Sequence, residues 1–106
     1  MSRRMRKRYL AFKVVSEQSV SKGDVADAVW NAVLQLFGEY GASQTNLALI
    51  EYDPEECWGI IRCSHRAVEM VRASVASVTE INEKPIAIHV LGVSGTLKAL
   101  RRKVLL

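Results

Sequence analysis

The hydrophobic period of this chain switches from strand spacing to helix spacing and back in a fixed order. From Tyr9 to Ser16 the residues alternate, with Leu10, Phe12 and Val14 on one side and Tyr9, Ala11, Lys13 and Val15 on the other. That spacing predicts a strand with a buried face. Val25, Ala28, Val29, Ala32, Val33, Leu36 and Phe37 then recur at helical spacing, predicting an amphipathic helix that ends near Gly38. Ser21 with Asp24 three residues on reads as its N-terminal cap, and Val20 with Val25 as a hydrophobic staple across it. Gly41 is expected to open a short loop.

The pattern repeats in the second half with a hairpin inserted. Thr45 to Tyr52 reads as a second strand, Asp53-Pro54-Glu55-Glu56 as a turn, and Cys57 to Cys63 as a third strand. Ser64 is expected to cap a second helix lined by Val68, Val71, Val75 and Val78. Asn82 to Pro85 breaks the chain, and Ile86 to Leu91 is a fourth alternating strand. Beyond Gly92 and Gly95 a short helix follows, with Leu97, Leu100 and Val104 on one stripe.

Strand–helix–strand–strand–helix–strand is the order of an α+β, ferredoxin-like βαββαβ sandwich, in which two helices cover one face of a four-stranded antiparallel sheet. Its 106 residues suit a single domain over 1–106, with a basic arm at 1–8 and a basic C-terminal helix at 94–106. A chain of this length buries roughly two-thirds of its unfolded surface, enough for a core without disulfides or metals. Hydrophobic residues at 49% and charged ones at 25% exclude disorder as the main state.

The longest run without a charge, Pro85 to Leu97, has thirteen residues. A spanning helix needs about 20 apolar ones, so no membrane association is expected. The basic start followed by Tyr9-Leu10-Ala11-Phe12 is broken by Lys13 and has no cleavage pattern after it, so a cytoplasmic location is expected.

If Leu10, Phe12, Val14, Ile86, Ile88 and Val90 face the helices, the other face shows Tyr9, Lys13, Val15, Ala87, His89 and Leu91. Trp58, Ile60 and Arg62 are expected to join it. Half of that face is apolar. Either the tail helix or a protein partner must cover it.

Charge is concentrated at the two ends. Arg3, Arg4, Arg6, Lys7 and Arg8 open the chain without an acid, and Lys98, Arg101, Arg102 and Lys103 close it the same way. The ends sum to +9 and the body between them to −5. Such a field points to a polyanion, most often nucleic acid; solvated tails are the alternative.

Little in the sequence points to catalysis. Cys57 and Cys63 lie six apart on an expected strand, about 20 Å from each other, too far to share a disulfide or one zinc, which leaves them as small hydrophobes. His65 and His89 show no spacing that makes an acid–base pair. Asp53, Glu55 and Glu56 lack the ligand spacing of a calcium loop. Gly92-Val93-Ser94-Gly95-Thr96 looks like a loop able to hold a phosphate, with Ser94 and Thr96 as hydroxyl donors, or else simply like a helix cap. It lacks the Walker ending, so nucleotide hydrolysis is not indicated. The third strand also lacks the aromatic platforms of an RNA-recognition motif.

Three blocks carry a resemblance. Lys7-Arg8-Tyr9-Leu10-Ala11-Phe12-Lys13-Val14, Gly59-Ile60-Ile61-Arg62-Cys63 and Gly92-Val93-Ser94-Gly95-Thr96-Leu97-Lys98 together resemble the archaeal ribonuclease P protein component 2 family, shared with a subunit of eukaryotic ribonuclease P and MRP. The resemblance runs from about Arg8 to Lys103.

It implies a non-catalytic subunit of a ribonucleoprotein whose RNA, with magnesium, removes 5′ leaders from precursor tRNA. The implied partners are ribonuclease P RNA, the TIM-barrel-like ribonuclease P protein component 3 and, through the complex, precursor tRNA. It supplies no catalytic residue, protein-bound cofactor or metal ligand. The expected RNA contacts are Arg3, Arg4, Arg6, Lys7, Arg8, Ser94, Thr96, Lys98, Arg101, Arg102 and Lys103. Two other readings are a small-molecule regulatory module, which needs a pocket, and a self-sufficient nuclease built on His65 or His89.

Overall fold

A computed structural model describes residues 6–104; Arg3 and Arg4, two of the expected RNA contacts, lie outside them. The elements are β1 (Lys7–Val15), α1 (Lys22–Ser43), β2 (Ala48–Asp53), β3 (Trp58–Ser64), α2 (Val68–Ser77), β4 (Glu80–Ile81), β5 (Lys84–Pro85), β6 (Ala87–Ser94) and α3 (Leu97–Val104). The main sheet has the antiparallel order β2-β3-β1-β6, which is the ferredoxin-like arrangement. The remaining pair, β4 and β5, forms a separate small hairpin.

Alternation decides which side chains enter the core. Leu10, Phe12 and Val14 of β1, Ile61 and Cys63 of β3, and Ile88 of β6 pack against Val25 and Val29 of α1 and Val71 and Val75 of α2. Phe12 also stacks on Tyr52, with ring centroids 6.2 Å apart and planes at 15°. Burial there raises the Tyr52 hydroxyl above its ordinary pKa. On the other side of the sheet, Ala11, Ile60 and Leu100 form a second core, with Tyr9, Ile50 and Trp58 partly buried around it. The tail helix thus covers part of the open face, the first of the two alternatives raised by the sequence, while Val15 and His89 stay exposed beyond it.

The structure departs from the periodicity in several places. Helix α1 does not end at Gly38. That residue turns to φ 74, ψ 178, a conformation open essentially to glycine, and a further helical turn containing Gly41 follows. Buried Ala42 and Thr45 anchor that turn, and the Thr45 hydroxyl donates to the Ala42 carbonyl at 2.8 Å. Strand β2 consequently begins at Ala48 rather than Thr45.

Cys57 lies in the turn, at φ 57, and not on β3 with Cys63. Ser64 precedes a short 3₁₀ turn (His65–Ala67) but does not cap it; its hydroxyl donates to the Gln44 carbonyl at 3.1 Å. The β4–β5 hairpin turns on Asn82 and Glu83, both at positive φ as its two-residue loop requires. The side-chain amide of Asn82 donates to Asp24 at 2.9 Å. Ser21 accepts from the Asp24 N–H at 3.2 Å, as expected of the cap.

The last strand carries a bulge. Ala11 pairs with Gly92 and Phe12 with Val90, leaving Leu91 as an extra residue that is 49% exposed. Past it the alternation is reset. Val93 joins the helix-side core, opposite Leu10, and the strand runs on to Ser94.

Candidate nucleic-acid interface

Helix α3 owes its position to three apolar residues and one hydroxyl. Leu100 is fully buried against Ala11 and Ile60, and Leu97 and Val104 flank it on the same stripe. The Thr96 side-chain oxygen accepts from the Ala99 N–H at 3.1 Å, capping the helix. Gly92 allows the close approach: a Cβ there would stand 3.0 Å from Val104 Cγ1. With Gly92 to Ser94 paired into β6, the segment expected as a phosphate-holding loop shrinks to the turn at Gly95 and Thr96.

Docking of the apolar stripe turns the charges outward. Lys98, Arg101, Arg102 and Lys103 are all exposed. Arg101 makes an ion pair with Glu51 of β2, and the hydrogen bond to that carboxylate raises the guanidinium pKa further. Lys103 Nζ donates to the Val93 carbonyl at 3.1 Å. Lys98 and Arg102 make no side-chain hydrogen bond or ion pair among the described residues.

Antiparallel pairing joins this surface to the other basic end. Tyr9 stands opposite Ser94, so the start of β1 lies beside the end of β6, and the two charged ends of the sequence meet at one end of the sheet. Arg6 and Lys7 are exposed there, and the Arg6 carbonyl accepts from the His65 N–H at 2.8 Å. Arg8 is half-buried, and its guanidinium donates to the Lys7 carbonyl at 2.9 Å.

One cation of this surface was not among the expected contacts. Arg62 pairs in register with Tyr9 on one side and Ala48 on the other. Its signal was its alternation with Trp58 and Ile60, which places all three on the α3 side.

The histidines and cysteines are scattered. His65 is held beside Arg6 by its backbone N–H, whereas exposed His89 stands opposite Lys13, about 23 Å further along β1. The buried Cys63 thiol is pushed up to about 11 by burial, which holds it protonated and unreactive. Among the described residues no three of His, Cys, Asp and Glu gather as a metal site. None of the helices there is long and apolar enough to cross a membrane.

Residues 8–105 match the profile of the Rpp14/Pop5 family. The chain belongs to that family. It is 45% identical over 102 residues to ribonuclease P protein component 2 of Pyrococcus furiosus, covering 96% of this chain and 85% of the relative. With the Methanosarcina mazei protein of the same name the identity is 40% over 104 residues, covering 98% and 88%. A chain in the cryo-EM structure of yeast ribonuclease MRP superposes with a TM-score of 0.72 at 15% identity, covering 92% of this chain and 79% of that one. At that identity the likeness concerns the fold.

Proposed function

We infer that this chain is a non-catalytic protein subunit of ribonuclease P, holding the catalytic RNA that removes 5′ leaders from precursor tRNA. The observation that carries the reading is the meeting of the two basic ends on one surface, in a member of the Rpp14/Pop5 family. Arg6, Lys7, Arg8, Lys98, Arg102 and Lys103 supply cations there, with Arg101 partly neutralised by Glu51. Such a surface binds a phosphate backbone through counterion release. Ser94 and Thr96 lie at its middle, and Arg3 and Arg4 would extend it.

Magnesium belongs to the RNA in this reading, and the particle works in the cytoplasm. The protein partner is component 3. Trp30, Leu36, Phe37 and Tyr40 of α1 are exposed apolar and aromatic side chains on the helix side of the sheet. They support docking of that subunit there.

The small-molecule alternative is weaker. The apolar groove between α1 and β2 holds about 230 Å³, below the roughly 300–1,000 Å³ of ordinary ligand pockets. The roomier concavity beside α1, about 450 Å³, is lined by Asp24, Asp27 and Glu80 and is not the apolar enclosure such ligands take.

The test is reconstitution. The purified chain with magnesium should cleave no precursor tRNA, and together with the cognate RNA and component 3 it should raise 5′-leader cleavage. Cleavage by rigorously RNA-free protein that disappears in the His65→Ala, His89→Ala double variant would replace this reading with the nuclease.

A further inference from the structure

At the end of the sheet where β1 starts and β3 finishes, a cleft of about 490 Å³ opens between Lys7, Asn46, Leu47, Ala48, Arg62 and Ser64. Its two cations are placed by the strand register. Lys7 pairs with Ser64 and Tyr9 with Arg62, so Lys7 and Arg62 are diagonal neighbours on one face of the sheet. Diagonal positions stand about 7–8 Å apart, a spacing at which two long side chains can grip one phosphate from both sides. Neither Lys7 nor Arg62 has a side-chain ion pair or hydrogen bond among the described residues.

That lack of partners sets Arg62 apart from Arg101. Arg101 spends its fork of donors on Glu51, whereas the half-buried Arg62 keeps its own free beside a concavity. Part-buried, it has less freedom to lose on binding than an exposed tail lysine, and its planar fork suits a phosphate's two oxygens. Glu51, opposite Ile60, is the carboxylate of β2 closest to Arg62, and it is ion-paired with Arg101. Asp53 lies further along, opposite Trp58, and the lining of the cleft holds two cations and no carboxylate.

We propose that this cleft is a phosphodiester-binding site, in which Arg62 and Lys7 clamp one backbone phosphate of an RNA strand that continues over α3. The inference rests on the RNA-facing reading above and adds to it a residue, Arg62, and a route. RNA would run from the cleft past the Tyr9–Ser94 pair to Lys98 and Arg102.

The experiment measures binding of the full chain to the catalytic RNA alone and to precursor tRNA alone, each across a salt series. Arg62→Gln and Lys7→Gln should each flatten the dependence of log affinity on log salt by about 0.7–0.9, the contribution of one neutralised phosphate. Whichever RNA shows the change is the source of the phosphate. Arg62→Lys keeps the charge and should hold the slope while weakening affinity, which guards against misfolding of the Gln variant. Arg72→Gln, at an exposed position of α2, should change nothing. Unchanged slopes at Arg62 and Lys7 beside a flattened slope in Lys98→Gln, Arg102→Gln would overturn the cleft and leave the subunit reading intact. Unchanged slopes in every variant would overturn both.

Discussion

Arg101 of α3 is ion-paired with Glu51 of β2, so one of the four charges of the tail is already answered within the fold. The pair also reaches from the tail helix across to an edge strand of the sheet, over the buried Leu100 contact. Packing and charge in this helix are carried by different side chains, which makes them separable by mutation.

The tail charges are tested together first. Arg101→Ala, Arg102→Ala, Lys103→Ala should leave the melting temperature close to that of the parent, since exposed charges contribute little to folding. RNA binding should weaken and its log–log salt slope flatten by about 1.4–1.8, the share of two neutralised phosphates, because Glu51 already masks Arg101. Glu51→Gln should act in the opposite sense and tighten binding at low salt by freeing Arg101. A Glu51→Gln protein that binds no better would show that Arg101 faces away from the RNA.

Leu100→Ala addresses packing. Leu100 is fully buried with Ala11 and Ile60, so truncation should cost about 2–5 kcal/mol in a denaturant titration. Below its melting transition the variant should keep the parental salt slope. A loss under 1 kcal/mol would mean that the helix covers the sheet only loosely.

Gly38 offers a backbone test. A Cβ there meets no atom within 4 Å, yet the residue holds φ 74 with ψ 178. Gly38→Ala should therefore destabilise by about 1–3 kcal/mol through conformation alone, read as a lower midpoint in urea. Equal stability would place the helix break elsewhere.

Cys63 predicts an alkaline limit. Burial raises its thiol from 9.0 to about 11, so the unfolded chain releases this proton before the folded one does. The contribution is fully present below pH 9 and is lost as pH rises through about 11. Over that window Cys63→Ala should show a shallower fall in stability than the parent, whatever its stability at neutral pH. Parallel pH curves for the two proteins would contradict it.

Much of this was legible in the chain. Alternation at Leu10, Phe12 and Val14 and helical spacing from Val25 to Phe37 are local properties, set by backbone geometry, and they specify the elements and their buried sides. The basic ends and the three resembling blocks likewise stand in the sequence itself. What local pattern could not reveal came from contacts between distant residues. Gly38 breaks α1 but does not end it, because Ala42 and Thr45 find burial beyond the break. The bulge at Leu91 resets the last strand so that Val93 reaches the core. The antiparallel register of β1 with β6 and β3 brings Lys7, Arg62 and the tail charges to one surface, and Leu100 holds that surface in place by filling the gap over Ala11 and Ile60. Charge along a chain is one-dimensional; only strand pairing and burial decide which charges share a face.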